Sequence, residues 1–469
     1  MRWESDGLGQ LEIDDEAYYG IHTLRALRNF DVSGCRVPRS FIISFAAVKK
    51  ACALTNLELG YLEQRKGSAI LKACDEIMAG RLHEHVVVDA FQGGAGTSTN
   101  MNLNEVIANR AIEVLGGHRG DYSVVHPLDD VNMHQSTNDV YPTALRVAAL
   151  SDLQTLEVEI SALQQSFQVK EQQFRDVVKV GRTQLQDAVP ITLGMEFGSY
   201  AEALSRDRWR IFKSRERIKQ INLGGTAVGT GLGAPRDYIF RVAENLRHIT
   251  GLNVARAENL VDATQNMDSF VESAGMLKAY ASNLFKIASD IRLLSCGPNA
   301  GFGEIKLPAR QAGSSIMAGK INPVIPEMVS QVALRVMAND QAICLVAAMG
   351  QLELNQFLPL LAHSLLESVA ILCGATRSFA EKCVQGIEPV IDRCTRLVQN
   401  SKIAATVLVP LIGYENVERI VKKAEAEDKT IVQAAIDEGF LSADQASRIF
   451  SPKRLHKLGF ERHEHDAFG

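Results

Sequence analysis

The chain has 469 residues, 46% of them hydrophobic and 22% charged, which are the proportions of a globular enzyme long enough for roughly three domains. A formal net charge of −5 provides no basic field for nucleic acid or an anionic membrane surface. Eight cysteines, Cys35, Cys52, Cys74, Cys296, Cys344, Cys373, Cys383 and Cys394, are scattered without a Cys-x-x-Cys, which argues against a disulfide framework or zinc site and for a reducing cytoplasm.

Residues 1–40 read as irregular, with short elements around Leu11–Ile13 and around Tyr18-Tyr19-Gly20-Ile21-His22-Thr23-Leu24-Arg25-Ala26. The polar, acidic start from Met1 to Gln10 shows no signal peptide. Nowhere does an unbroken apolar run approach the roughly 20 residues of a membrane span. The aromatics, histidine and arginine of the Tyr18–Ala26 stretch suit either a ligand contact or packing at a domain edge. From 41 to 90 the apolar residues Phe41, Phe45, Val48, Ala69, Ile70, Ala73 and Ile77 recur with helical period, predicting two or three helices.

Gln92-Gly93-Gly94-Ala95-Gly96 then leads into Thr97, Ser98, Thr99 and Asn100, with a helix expected from Asn102 onward. Hydroxyls at a helix start are ordinary capping groups, yet free N–H donors there also suit a carboxylate. A second polar cluster, Gln135-Ser136-Thr137-Asn138-Asp139, precedes Pro142, and a long helix is expected from Thr143 to about Val178. Its apolar residues Leu153, Leu156, Ile160, Leu163 and Phe167 step three and four apart. A rod of about 50 Å needs other long helices to bury that stripe.

Gly181-Arg182-Thr183-Gln184 interrupts the pattern before a second helix, about Leu193–Ile221. The glycine-rich 224–233 stretch follows a helix and lacks a Gly-Lys-Ser/Thr ending, so it reads as a helix connection and not a phosphate loop. Further helical patterns cover about Thr264–Leu294 and Pro326–Gly374. Between them lies Gly313-Ser314-Ser315-Ile316-Met317-Ala318-Gly319-Lys320-Ile321-Asn322-Pro323, whose glycines allow close backbone approach to an anion and whose Lys320 supplies positive charge. A Gly/Ser connection without chemistry has the same composition. After about Asp392 the helices shorten, and Thr430–Phe450 has a helix-turn-helix pattern too acidic for DNA. The basic, histidine-bearing tail Lys453–His465 reads as solvated surface.

Neutral donors plus one lysine suit a small dicarboxylate. No His/Asp/Glu metal set and no Ser-His-Asp arrangement accompanies them.

Taken in order, these stretches resemble the aspartase/fumarase superfamily over essentially the whole chain. The loop Gly313-Ser314-x-x-Met317-x-x-Lys320-x-Asn322 matches its signature, with Ala318 where the family usually has proline. Tyr18–Ala26, Thr97–Asn102, Gln135–Asp139 and Gly181–Gln184 match the aspartase branch, whereas fumarases usually carry histidine where Gln184 stands. The resemblance implies a mainly α, three-domain fold. Residues 1–137 would form an N-terminal domain, 138–392 a bundle of about five long helices carrying the signature loop, and 393–469 a small helical domain.

It also implies deamination of L-aspartate to fumarate, with Ser314 as the base. Thr99, Ser136, Thr137 and Ser315 would donate to the carboxylate that gains charge, and Lys320 and Asn322 would hold the other. Thr99, Asn138 and Gln184 would surround the amino group, while Thr97, Ser98, Asn100, Thr183 and Met317 would complete the substrate-binding set. The expected assembly is a homotetramer whose sites each draw on three chains. No cofactor is required, although the resemblance allows activation by a divalent cation such as Mg. The alternatives are a fumarase, a lyase of a substituted aspartate, or a non-catalytic descendant, which should show eroded clusters.

Overall fold

The computed structural model describes residues 1–457 and 459; His463 and His465 of the basic tail lie outside the described residues. Its elements are mainly helical. A β-hairpin of β1 (Arg2–Asp6) and β2 (Gly9–Ile13) opens the chain, so the short element expected near Leu11 is a strand. Helices α1 (Ile21–Asn29), α2 (Arg39–Glu58), α3 (Gln64–Met78) and α4 (Thr97–Val114) follow.

The long α5 (Thr137–Gln173) precedes the hairpin β3 (Val178–Thr183) and β4 (Gln186–Thr192), then α6 (Leu193–Ile218). Next come β5 (Gln220–Ile221), α7 (Arg236–Thr250), β6 (Ala255–Arg256), α8 (Leu260–Gln265) and α9 (Asp268–Leu294). Strand β7 (Ile305–Lys306) leads through the signature loop to α10 (Val324–Ala348) and α11 (Leu358–Lys382). Strand β8 (Glu388–Pro389) pairs back with β7, and the short helices α12 (Ile391–Asn400), α13 (Val409–Ile412), α14 (Tyr414–Ala426), α15 (Ile431–Asp437), α16 (Ala443–Ile449) and α17 (Pro452–Leu455) close the chain.

The expected bundle of about five long helices is present as α5, α6, α9, α10 and α11, of 37, 26, 27, 25 and 25 residues. Two of the boundaries that differ have reasons visible at the break itself. The pattern over 326–374 is two helices, broken by a turn in which Leu352 takes a positive φ of 54°. Helix α5 begins at Thr137, six residues before the expected start, and carries Pro142 inside it. Proline cannot donate to the carbonyl four residues back. That carbonyl, on Asn138, instead accepts from Asn222 Nδ2 at 2.9 Å, which satisfies the group proline leaves open.

The chain divides into two compact units. The first comprises Met1–Val158, Trp209–Ala281 and Ala333–Cys373; the second comprises Glu159–Arg208, Ser282–Val332 and Gly374–Gly469. In the first, Phe41, Phe45 and Tyr141 meet edge to face, with ring centroids of Phe41 and Tyr141 5.0 Å apart. In the second, the α14–α16 region packs Val417, Ile420, Ala434, Ala435 and Ala446 into one apolar cluster, so the helix-turn-helix pattern is a packing unit.

Two helices, Arg39–Glu58 and Leu358–Gly386, are long and apolar enough on average to cross a membrane, which corrects the expectation from unbroken runs. Mean hydropathy tolerates the occasional lysine or serine that breaks a run. Their apolar windows are 72% and 61% buried within the fold, as core helices are.

Candidate active site

The first unit joins two of the four polar clusters. Gly96, at φ +96°, starts α4, and a Cβ there would fall 2.2 Å from the Tyr141 ring; only glycine lets the helix begin so close to α5. The helix therefore starts at Thr97, five residues earlier than expected, which places the whole Thr97–Asn100 cluster in its first turn. Thr97 is exposed and donates to Gly94 O at 2.7 Å; Ser98 is half-buried. Thr99 is fully buried, its backbone N–H and hydroxyl both donating to Gln92 Oε1 at 3.0 and 3.1 Å. Asn100 Nδ2 donates to Thr137 Oγ1 at 3.0 Å, which is a direct bond between the first and second clusters.

Around that bond lies a buried amide network. Asn132 Oδ1 accepts from Asn100 and Asn104 at 3.2 Å each and from Lys49 Nζ at 2.9 Å, while Lys49 also donates to Gln135 Oε1 at 2.8 Å. Lys49 is fully buried and has no ion-pair partner among the described residues, and burial pushes its ammonium down to about 7. Sequence reasoning missed Lys49, Gln92 and Asn132. For Lys49 the signal existed, since it continues the stripe of Phe41 and Phe45 at helical spacing.

Asp139 fixes the second cluster. One carboxylate oxygen accepts from Ser136 N at 3.0 Å, and the other from Gly224 N and Thr226 N at 3.1 and 3.0 Å. Burial nonetheless pushes its carboxyl up to about 7. The half-buried Ser136 accepts from Asn138 N at 3.2 Å, and Asn138 Nδ2 donates to Ala227 O at 2.8 Å. The glycine-rich 224–233 turn is thus a connection, as expected, and its backbone also clamps the second cluster. The Tyr18–Ala26 stretch packs: buried Glu105 accepts from the N–H groups of Gly20, His22 and Thr23 and from the Thr23 hydroxyl at 2.6 Å.

The other two clusters belong to the second unit. Gly181–Gln184 is no simple break but the end of a hairpin, with Thr183 paired to Gln186 across the two-residue turn Gln184-Leu185. Thr183 and Gln184 are exposed, and both turn residues have positive φ, 53° and 61°. Behind them, buried Glu304 accepts from Arg182 Nη1 through both oxygens at 3.0 and 2.9 Å, with Lys179 Nζ 3.4 Å away.

The signature loop is tied at its neck and open at its tip. Gly313 N–H donates to Lys320 O at 3.1 Å, and Asn322 Nδ2 to Gly313 O at 2.6 Å. A Cβ at Gly313 would lie 2.3 Å from Lys320 O, so the neck requires glycine. Ser314 is half-buried, and its Oγ accepts from Met317 N at 2.9 Å and Ile316 N at 3.3 Å. Ser315, Met317 and Lys320 are exposed, Asn322 is half-buried, and Ile316 at the tip is 88% exposed. The two N–H donors on the Ser314 oxygen are already in place to meet negative charge if the hydroxyl is deprotonated.

The chain is similar to known proteins over nearly its whole length. Residues 9–338 match the family model described as Lyase, and residues 405–457 the one described as Fumarase C C-terminus. The chain is 46% identical to the aspartate ammonia-lyase of Helicobacter pylori over 99% of this chain and all of that one. Among solved structures it is similar to a Brucella melitensis protein described as fumarate lyase:delta crystallin bound to cobalt. That likeness has a TM-score of 0.93, 46% identity, and coverage of 97% of this chain and 100% of that one. A class II fumarase from Schistosoma mansoni overlays with a TM-score of 0.90 at 34% identity, covering 96% of this chain and 98% of that one. With its signature loop, bundle of long helices and full-length likeness, this chain belongs to the aspartase/fumarase superfamily of lyases.

Proposed function

We propose that this carbon–nitrogen lyase is an aspartate ammonia-lyase, which reversibly deaminates L-aspartate to fumarate and ammonia by anti β-elimination. The C3 proton of aspartate is weakly acidic because it neighbours a carboxylate already carrying charge. Removing it makes a doubly charged aci-carboxylate, and the site must stabilise that charge as it develops. Ser314 takes the proton as its alkoxide, the C–N bond then breaks, and ammonia leaves from the opposite face. The observation that carries this reading is the pair of backbone N–H groups on Ser314 Oγ, an arrangement that favours the alkoxide.

Ser136, Thr137 and Ser315 face the charged carboxylate, and Thr99 joins them once its hydroxyl leaves Gln92 Oε1. Lys320 and Asn322 hold the other one, and Asn138 and Gln184 surround the amino group. Thr97, Ser98, Asn100, Thr183 and Met317 complete the shell. The enzyme works in the cytoplasm as a homotetramer whose sites each draw on three chains. What supports assembly is the exposure of Val158, Leu334, Leu345 and Met349 along or just past the long helices. The division into parts at 137/138 and 392/393 belongs to the same reading. Divalent-cation activation also comes from the resemblance. Among the described residues no three His, Cys, Asp or Glu side chains converge, so none is assigned to a metal and no step runs through one.

The test is direct. Purified protein is given L-aspartate and fumarate is followed by its ultraviolet absorbance, with L-malate as the parallel substrate. Fumarate and ammonia in equal amounts from aspartate is the expected result. Signal from malate alone would overturn the proposal in favour of a hydratase.

A further inference from the structure

We infer that Glu304 is a positioning residue for the reaction, holding Thr183 and Gln184 in place from the root of the segment that carries Ser314. This rests on the functional reading above.

Among the described residues strands β3 and β4 pair only with each other, and a two-stranded hairpin has little stability of its own. The direction of its tip therefore depends on what grips its base. Helix α12 packs along β3, and the specific grip at the base is an ionic cluster whose centre, Glu304 with Lys179, is buried. Glu304 is fully buried, and it takes Arg182, the residue before Thr183, through both carboxylate oxygens at 3.0 and 2.9 Å. Lys179, at the other end of β3 and 2% exposed, sits 3.4 Å from Glu304 and 3.1 Å from Glu196. Two cations and two anions thus balance around the base of the hairpin, with Glu196 partly exposed. The Arg182 guanidinium also stacks 4.1 Å over the ring of Phe302, two residues before Glu304.

Buried ion pairs of this kind contribute little net stability compared with apolar residues of similar size. Their value is directional: a planar guanidinium held by a fixed carboxylate and an aromatic face has few alternative poses. Glu304 is itself fixed, because its N–H donates to Leu294 O at 2.9 Å and its carbonyl accepts from Val390 N at 2.8 Å. Ser314 follows ten residues later, after β7. A single pinned residue thus anchors the hairpin that presents Thr183 and Gln184 and begins the strand that leads to the base.

The experiment compares full-length wild type with Glu304→Gln, which keeps volume and removes charge, and with the milder Arg182→Lys, which keeps charge and loses the planar stack. Both kcat and KM for L-aspartate are measured per folded enzyme, and hydrogen exchange is followed in peptides covering 178–192. Misplaced binding groups cost catalysis steeply, so in Glu304→Gln kcat is expected to fall about thirtyfold with KM changed less than about threefold. Exchange should accelerate in 178–192 while α11 keeps its protection. Arg182→Lys should shift both readouts in the same direction by less, and it decides the matter if Glu304→Gln fails to fold. A kcat within about threefold of wild type in the folded variants, or unchanged exchange in 178–192, would overturn the inference. If wild type releases no ammonia from aspartate, the functional reading falls separately, and the exchange result alone decides whether Glu304 holds the hairpin.

Discussion

Asn100 and Thr137 meet in a buried network that holds the clusters from beneath, from Gln92 under Thr99 to Asp139 under Ser136, with the side-chain oxygens of Asn100 and Asn104 left without a partner among the described residues. Ser314 and Gln184 sit instead on a loop and a hairpin turn whose tips reach solvent, with Ile316 88% and Leu185 61% exposed. The first unit spends its sequence on holding donors still before any ligand arrives. The second ties each segment at its base, through Gly313 to Lys320 and through Glu304 to Arg182, and leaves the end exposed. In a lyase this difference has a use. Donors that must meet developing charge gain from being fixed in advance, whereas the base must admit substrate before it can act.

The comparison is broken most sharply at Ser314. Ser314→Ala removes the proposed base from an exposed loop and touches no core, so kcat should fall about a thousandfold or more while Tm stays within a degree or so of wild type. Ammonia release at the wild-type rate would eliminate the serine base. Next comes the neck of the same loop. Gly313→Ala places a methyl 2.3 Å from Lys320 O, so the tie between Gly313 and Lys320 must open. An activity loss of about a hundredfold is expected with little change in Tm, since misplacement by about an ångström is enough. Steady-state kinetics beside a melting curve decide it; a normal rate would mean the closed neck has no part in catalysis.

In the first unit the corresponding lever is charge. Lys49 titrates near 7 in the folded protein and near 10.5 when unfolded. Below pH 7 both states are protonated and the full cost of burying the ammonium is present. Between 7 and 10.5 the unfolded chain holds a proton that the folded chain lacks, so this residue's contribution to stability rises with pH, by at most about 1.4 kcal/mol per unit. Lys49→Met abolishes that dependence. Denaturant unfolding of the two proteins should therefore show wild type gaining about 2 kcal/mol on the variant between pH 7 and 8.5. Parallel profiles would mean that Lys49 is not held as a reluctant cation.

Much of this was legible beforehand. The Leu153–Phe167 stripe made a long helix necessary, and the clusters at 97–100, 135–139, 181–184 and 313–322 were visible as polar breaks between apolar patterns. What stayed hidden depended on distant partners. Pro142 signals a helix boundary unless Asn222, eighty residues away, satisfies the carbonyl it frees. Thr97 as a helix start depends on Gly96 pressing against Tyr141. Lys49 and Glu304 are single charges within local patterns that read as helix face and connector, and nothing nearby tells that their partners are Asn132, Gln135 and Arg182.

The smallest effect concerns the hairpin tip. A two-residue turn with both residues at positive φ is the place for Asn-Gly, yet here Gln184 and Leu185 occupy it. A left-handed conformation costs a side-chain-bearing residue about 1–2 kcal/mol. Glycine removes that cost but gives back about 0.5–1 kcal/mol of chain entropy on unfolding. Leu185→Gly should therefore stabilise the protein by a net 0.5–1 kcal/mol or so, read as a small upward shift in denaturation midpoint. Leu185 is 61% exposed and loses little packing on truncation, so the two terms do not have to compete with a cavity. A loss of stability would show that the Leu185 side chain is covered in solution, as it would be if the tip meets another chain. That outcome would move the hairpin from the free side of the comparison to the held side.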